Sequence, residues 1–243
     1  MTAGDVLNAM RALPFRGLDA ILGPRAALIL APHPDDESLG CGGLIAAACA
    51  ARRPPFVLFL TDGTGSHPHS ALYPPARLRA VRENEARDAL AILGLPADRV
   101  AFLGLPDRRA PHQGAAFDAA VEAIVMRAGM LDCTAIAAPW QHDPHGDHLA
   151  AHRMATIAAS ALDVRQIAYP VWGWTLPRDA PLDFDVRGGR LDIGPYLPAK
   201  RRAIAAHVSQ HGGLITDDAS GFTLPANLMQ AFDVPHEVFL DVR

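Results

Sequence analysis

No basic block or stripe runs through this 243-residue chain, and its formal net charge is -4. That argues against nucleic acid as a partner, because a phosphate backbone is held by clustered Lys and Arg. No CxxC pair occurs, which argues against a cysteine zinc site. The three cysteines, Cys41, Cys49 and Cys133, are an odd number in alanine-rich surroundings. They read as buried small residues in a reducing compartment, not as a disulfide framework. There is no charged-then-apolar leader, and no apolar run approaches the roughly 18–20 residues of a membrane span. The expectation is a cytoplasmic protein without a transmembrane segment. No glycine-rich loop with a lysine is present, so nucleotide phosphate transfer is not indicated. Internal repeats and low-complexity linkers are missing as well.

What is present fits one large α/β domain over residues 1–243, with a variable loop or cap region at about 172–194. Half of the residues are hydrophobic, enough to bury a sizeable core at this length. The 21 prolines and 20 glycines cluster at 53–75, 104–114 and 170–198, which predicts long, shaped loops. Short apolar runs at 26–30, 56–60, 100–103, 134–138 and 166–171 predict strands, and 237–240 a terminal one. Helical patterns fall at 3–13, 39–51, 76–93, 117–128, 147–162 and 198–208. The alternation predicts a doubly wound, mostly parallel sheet. With the order 3-2-1-4-5, the first and fourth strands would be neighbours where the order reverses, and ligands bind there.

Two polar motifs end those two strands. The first is Pro32-His33-Pro34-Asp35-Asp36-Glu37, which puts a histidine and adjacent carboxylates where a core has no use for charge. His33 and Asp36 are close enough to bind one ion. Asp35 and Asp36 diverge in an extended segment, so one can ligate while the other faces a bound water. The second motif is His142-Asp143-Pro144-His145-Gly146-Asp147-His148. His145, His148 and His152 lie at i, i+3 and i+7, one face of a helix. Spacing alone does not choose among them as third ligand, and His152 is the rival of His148. Three nitrogen or oxygen ligands and an open position describe a catalytic zinc site. Such a site activates water and polarises a carbonyl, with a carboxylate as general base and a protonated histidine at the oxyanion. Hydrolysis of an amide or ester is implied.

At these residues the sequence resembles the PIG-L/LmbE-like family of zinc-dependent N-deacetylases, which act mostly on N-acetylglucosamine-containing substrates. The family's A-H-P-D-D-E motif is matched at 32–37, with Pro32 in place of alanine. Its H-x-D-H motif is matched at His145-Gly146-Asp147-His148. Looser agreement at 61–63, 82–85, 103–107 and 200–210 extends the likeness over roughly residues 24–212. The resemblance implies a Rossmann-like three-layer sandwich and one Zn2+ per chain held by His33, Asp36 and His148. It implies Asp35 as general base and acid, His145 at the oxyanion, and Asp147 orienting or charge-balancing a histidine. Arg82 falls where relatives place an arginine near the substrate. Trp172 and Trp174 would point the same way if extended and could stack on a sugar ring. The expected partner is a small amino-sugar or glycoconjugate; a homo-oligomer is compatible with the sequence. The alternatives are an amidase on a thiol conjugate or other acylated amine, and a non-catalytic metal- or sugar-binding module.

Overall fold

The structure is a computed structural model and describes residues 1–242. Five apolar segments form parallel strands: β1 (Ala27–Ala31), β2 (Phe56–Thr61), β3 (Val100–Leu105), β4 (Ala135–Pro139) and β5 (Arg165–Tyr169). Two more, β6 (Gly188–Asp192) and β7 (His236–Asp241), extend one edge, with β7 antiparallel to both neighbours. The sheet order is β3-β2-β1-β4-β5-β7-β6. The expected order 3-2-1-4-5 is therefore present as its parallel part.

Side chains alternate across the sheet and build a core on each face. Leu28 and Leu30 of β1 pack with Phe117 and Ile124 of α5 (Ala115–Met130) and Met154 of α6 (Gly146–Leu162). Ile29 packs on the other side with Leu44 of α3 (Asp36–Ala50), Leu90 of α4 (Pro75–Ile92) and Ala203 of α7 (Leu197–Ala206). The result is helices, sheet, helices: three layers. A third cluster joins Val6, Leu7 and Met10 of α1 (Ala3–Ala12) to Trp140 and Leu240. Two short helices, α2 (Leu18–Leu22) and α8 (Ala226–Phe232), have no counterpart in the sequence reading.

α3 sits close against the sheet because its first turns are small. A Cβ on Gly40 would stand 2.2 Å from the Tyr169 ring, closer than any contact that can be kept. This close seat brings the start of α3 to the ends of β1 and β4.

Two expectations need correction. The segment 172–194 is not all loop, since it contains edge strand β6. Gly188-Gly189-Arg190-Leu191-Asp192 has one aliphatic residue, so pairing with β7 and not local propensity makes it a strand. The helix expected from Leu39 begins at Asp36. The motif acids thus lie in or beside its first turn, where the helix dipole favours negative charge. Among the described residues no helix is long and apolar enough to cross a membrane.

Candidate active site

β1 and β4 lie side by side, and their carboxyl ends carry the two motifs. The loop after β1 is tied to β2: the Thr61 amide and hydroxyl both donate to the Pro32 carbonyl, at 3.0 and 2.8 Å. The chain then turns sharply at Asp35, whose φ of 146° and ψ of -31° are far from a relaxed conformation for a side chain bearing Cβ. Such a conformation costs about 1–3 kcal/mol and persists only where neighbours enforce it. The enforcing neighbour is Glu37, which is fully buried. Its Oε2 accepts the Asp35 amide at 2.9 Å, while Oε1 meets Ser38 Oγ at 2.6 Å and His207 Nε2 at 3.0 Å. Asp35 occupies the cap position of α3, yet its carboxylate makes no capping bond. It is free to face the cleft.

The three histidines of the two motifs converge, with ring nitrogens of His33, His145 and His148 within 4.8 Å of one another. Their outer hydrogen bonds separate their roles. His33 presents Nε2 to Asp147 Oδ2 at 2.9 Å and Asp107 Oδ1 at 3.1 Å. A proton on Nε2 serves those carboxylates and leaves Nδ1 with a lone pair. His148 presents Nδ1 to Asp143 Oδ2 at 2.9 Å, leaving Nε2 with its lone pair. His145 differs. As N-cap of α6, its Nδ1 accepts the Asp147 amide at 3.2 Å. Its proton therefore sits on Nε2, and His145 is a hydrogen-bond donor toward the cleft.

Asp36 lies between the two acceptor nitrogens. Its Oδ2 is 3.1 Å from His33 Nδ1 and 3.2 Å from His148 Nε2. His148 Nε2 is buried and has no hydrogen-bond partner. Donors at such separations suit adjacent corners of a shell of radius roughly 2.0–2.2 Å, the range for zinc with nitrogen and oxygen ligands. A carboxylate behind each ring is the usual support of a ligating histidine. A second grouping, His33 with Asp107 and Asp147, is already satisfied by hydrogen bonds through His33 Nε2.

The charges agree. Burial works against protonation of His33, but hydrogen bonds to Asp107, Asp147 and Asp36 raise its pKa well above the usual histidine value. His148 likewise rises to about 9 against burial, through Asp36 and Asp143. Burial opposes ionisation of Asp36, yet His148 and His33 hold it well below the usual carboxylate range. The pocket thus attracts protons where a divalent cation could replace them. Burial pushes Asp35 up to about 7, with Asp36 adding to the effect and Arg82, His207 and His33 opposing it. His145 falls to about 4 through burial and the positive charge of His33 and His148. The expectation of a protonated histidine at the oxyanion is therefore corrected: a neutral His145, not an imidazolium, faces the cleft at pH 7.

Asp147 orients His33, and it also accepts the amides of Arg108 at 2.7 Å and Ala110 at 3.0 Å. The loop after β3 is thereby fastened to α6. Arg82 lines the cleft, but its guanidinium is committed elsewhere. Nη1 donates to the Gly63 carbonyl at 2.8 Å, and Nη2 to the Pro34 carbonyl at 2.7 Å and Asp35 at 3.3 Å. It clamps the loop that holds Asp35.

Trp172 and Phe222 both line the cleft, their ring centroids 5.8 Å apart. Trp174 does not share that face. Residues 172–175 form a 3₁₀ helix, so two side chains two residues apart diverge by most of a turn. Trp174 packs under Arg11, 4.9 Å from its guanidinium carbon. The expectation of two tryptophans on one sugar face is corrected accordingly. His152 turns Nδ1 to the Pro139 carbonyl at 2.9 Å, and His142 packs on Trp140 and Phe184.

Three residues gain roles that the sequence reading did not give them. Asp143 is fully buried and accepts the Val171, Trp172 and Gly173 amides besides His148. Asp107 holds His33 and also accepts the Gly65 amide at 2.8 Å. His207 braces Glu37. Asp107 and Asp143 each follow a strand end, the signal that singled out the motifs. His207 carries no comparable signal, because its partner lies 170 residues away.

The sequence model of the PIG-L family, described as GlcNAc-PI de-N-acetylase, matches residues 28–159. Among solved structures, the conserved protein TT1542 from Thermus thermophilus is 23% identical, with TM-score 0.63, over 90% of this chain and 95% of that one. The N,N'-diacetylchitobiose deacetylase from Pyrococcus horikoshii is 17% identical, with TM-score 0.65, over 90% of this chain and 84% of that one. The 4-carboxy-2-hydroxymuconate hydratase GalB from Pseudomonas putida KT2440 is 15% identical, with TM-score 0.59, over 90% and 97%. No curated protein matches the sequence.

Proposed function

The chain belongs to the PIG-L family, and on that premise we propose that it hydrolyses the N-acetyl group of an N-acetylglucosamine-type sugar or glycoconjugate. One structural neighbour is named a hydratase, so the fold alone does not choose the reaction; the side chains do. The observation that carries the reading is the division among the three histidines. Two have a carboxylate on the outer nitrogen and one has a backbone amide.

In this reading His33, Asp36 and His148 would hold one divalent ion, zinc by the type of ligand. Such an ion would supply Lewis acidity for the amide carbonyl and would lower the pKa of water toward ~7. Asp35 removes a proton from the attacking water and later delivers it to the leaving amine. Burial and the strained turn keep that carboxylate off the helix cap and aimed at the cleft. His145 Nε2–H donates to the oxygen that gains negative charge as the carbonyl is attacked. Asp147, Asp107 and Asp143 fix the rings. Arg82 and Glu37 hold the Asp35 loop in place. Water adds to the carbonyl carbon, the C–N bond breaks, and acetate and a free amine leave.

The cytoplasmic setting and the single-domain organisation belong to the same proposal; the first rests on three free thiols. The test is acetate release by zinc-loaded protein from free and glycosidically linked N-acetylglucosamine, beside other N-acyl amines and a thiol conjugate. Release from the sugar compounds supports the reading. Turnover confined to the other amides replaces the substrate class, and no release from any of them overturns the reaction.

A further inference from the structure

Among the described residues, one cation that lines the cleft has no acidic partner. Arg108 lines the cleft together with Asp35 and His145 and is solvent-exposed. Among the described residues its guanidinium makes no ion pair and no hydrogen bond, although carboxylates are close by in the chain. Each of those acids is already used. Asp107 serves His33 and the Gly65 amide, and Asp147 serves His33 and two backbone amides. Asp62 caps Thr64 and accepts the Asp107 amide.

The placement of Arg108 is built into the loop. Its backbone has φ of 63°, a conformation side-chain-bearing residues seldom adopt. The 2.7 Å bond from its amide to Asp147 holds it there. Its side-chain stem lies across Gly65, with Cγ 3.0 Å from where a Cβ on that glycine would stand. Any larger residue at 65 would displace it. The apolar side chains of Trp172, Phe222 and Leu224 line the same cleft. The cleft, about 350 Å³ in volume, thus combines apolar and charged lining residues.

We propose that Arg108 is a specificity-determining residue, and that the acylated substrate carries an anionic oxygen group, phosphate or carboxylate, which the guanidinium engages in the cleft. A planar fork of donors suits either group. The inference rests on the reading of this cleft as the substrate site and adds to it the charge of the substrate.

The experiment is a calorimetric binding titration with zinc-loaded protein, which reads affinity whether or not turnover follows. The probes are N-acetylglucosamine, its 1-phosphate and 6-phosphate, and N-acetylmuramic acid as the carboxylate-bearing arm. The wild type is expected to bind at least one anionic sugar ~10-fold or more tightly than the neutral one. The tighter arm tells phosphate from carboxylate. R108A is expected to lose that preference, and R108K to keep part of it. R109A removes the same charge one residue away, outside the cleft lining, and is expected to retain the preference. Equal affinities in the wild type, an intact preference in R108A, or the same loss in R109A each overturn the assignment. Acetate release, measured separately on the same sugars, tests the deacetylase reading independently of Arg108.

Discussion

Replacing His145 separates two roles that proximity alone does not. Its ring lies within ligand distance of His33 and His148, so a third-ligand role and an oxyanion-donor role are both conceivable. The hydrogen bond from the Asp147 amide to Nδ1 decides for the donor. The His145→Ala variant should then keep its metal and lose turnover. Removal of one oxyanion donor costs about 10²–10³ in kcat, or roughly 2.7–4 kcal/mol. The same change removes the N-cap of α6, worth about 0.5–2 kcal/mol of stability. His145→Asn distinguishes the two effects. The Asn carbonyl can accept the Asp147 amide, which restores the cap, but the side chain is too short to supply the Nε2 donor. The Asn variant should melt near the wild-type temperature and still show the full loss of kcat. Because His145 falls to about 4, its protonated share at pH 7 is about one in a thousand. Metal content by elemental analysis, kcat from acetate release and thermal melting together form the assay. Loss of the metal in either variant would refute the tautomer argument, as would wild-type kcat in the Asn variant.

Further consequences follow from the same contacts. Trp172→Ala should raise KM several-fold, whereas Trp174→Ala should leave turnover unchanged and cost stability through lost packing on Arg11; steady-state kinetics and melts of the two decide this. Lys200→Met should destabilise the protein by about 3–5 kcal/mol, because it strands Glu237 from its 2.6 Å partner in the core; urea unfolding measures it, and a change under about 1 kcal/mol contradicts it. Glu37→Gln should lower kcat with little effect on KM, since the amide cannot accept from every one of its three donors; unchanged kcat would mean that the Asp35 turn stands without it. Chelation should abolish turnover while far-UV circular dichroism stays native, because the three-layer core does not include the ligand cluster.

Much of the fold was readable because it is local. Ala27–Ala31, Phe56–Thr61 and Ala135–Pro139 are short, apolar and buried on both faces, so pattern and strand type agree. The meeting of the two motifs followed from the strand order. Edge strand β6 was not readable, since two glycines, an arginine and an aspartate become a strand only by pairing with β7. The divergence of Trp172 and Trp174 depends on a single 3₁₀ turn, which no periodicity announces. The commitment of Arg82 to carbonyls at 34 and 63, and the support of Glu37 by His207, are long-range contacts with no trace in local spacing. Asp143 is the instructive omission. It stands inside the second motif, where only its four-fold engagement with His148 and the chain after β5 reveals its part.

The central claim is that Asp35 moves the proton while His33, Asp36 and His148 hold the ion. It is tested most directly by measuring zinc content and acetate release on the same preparations of wild type and Asp35→Asn. The account predicts one zinc per chain in both proteins and a loss of at least ~10²-fold in turnover for the variant. Full turnover by Asp35→Asn, or a wild-type protein that takes up no divalent ion, would contradict it.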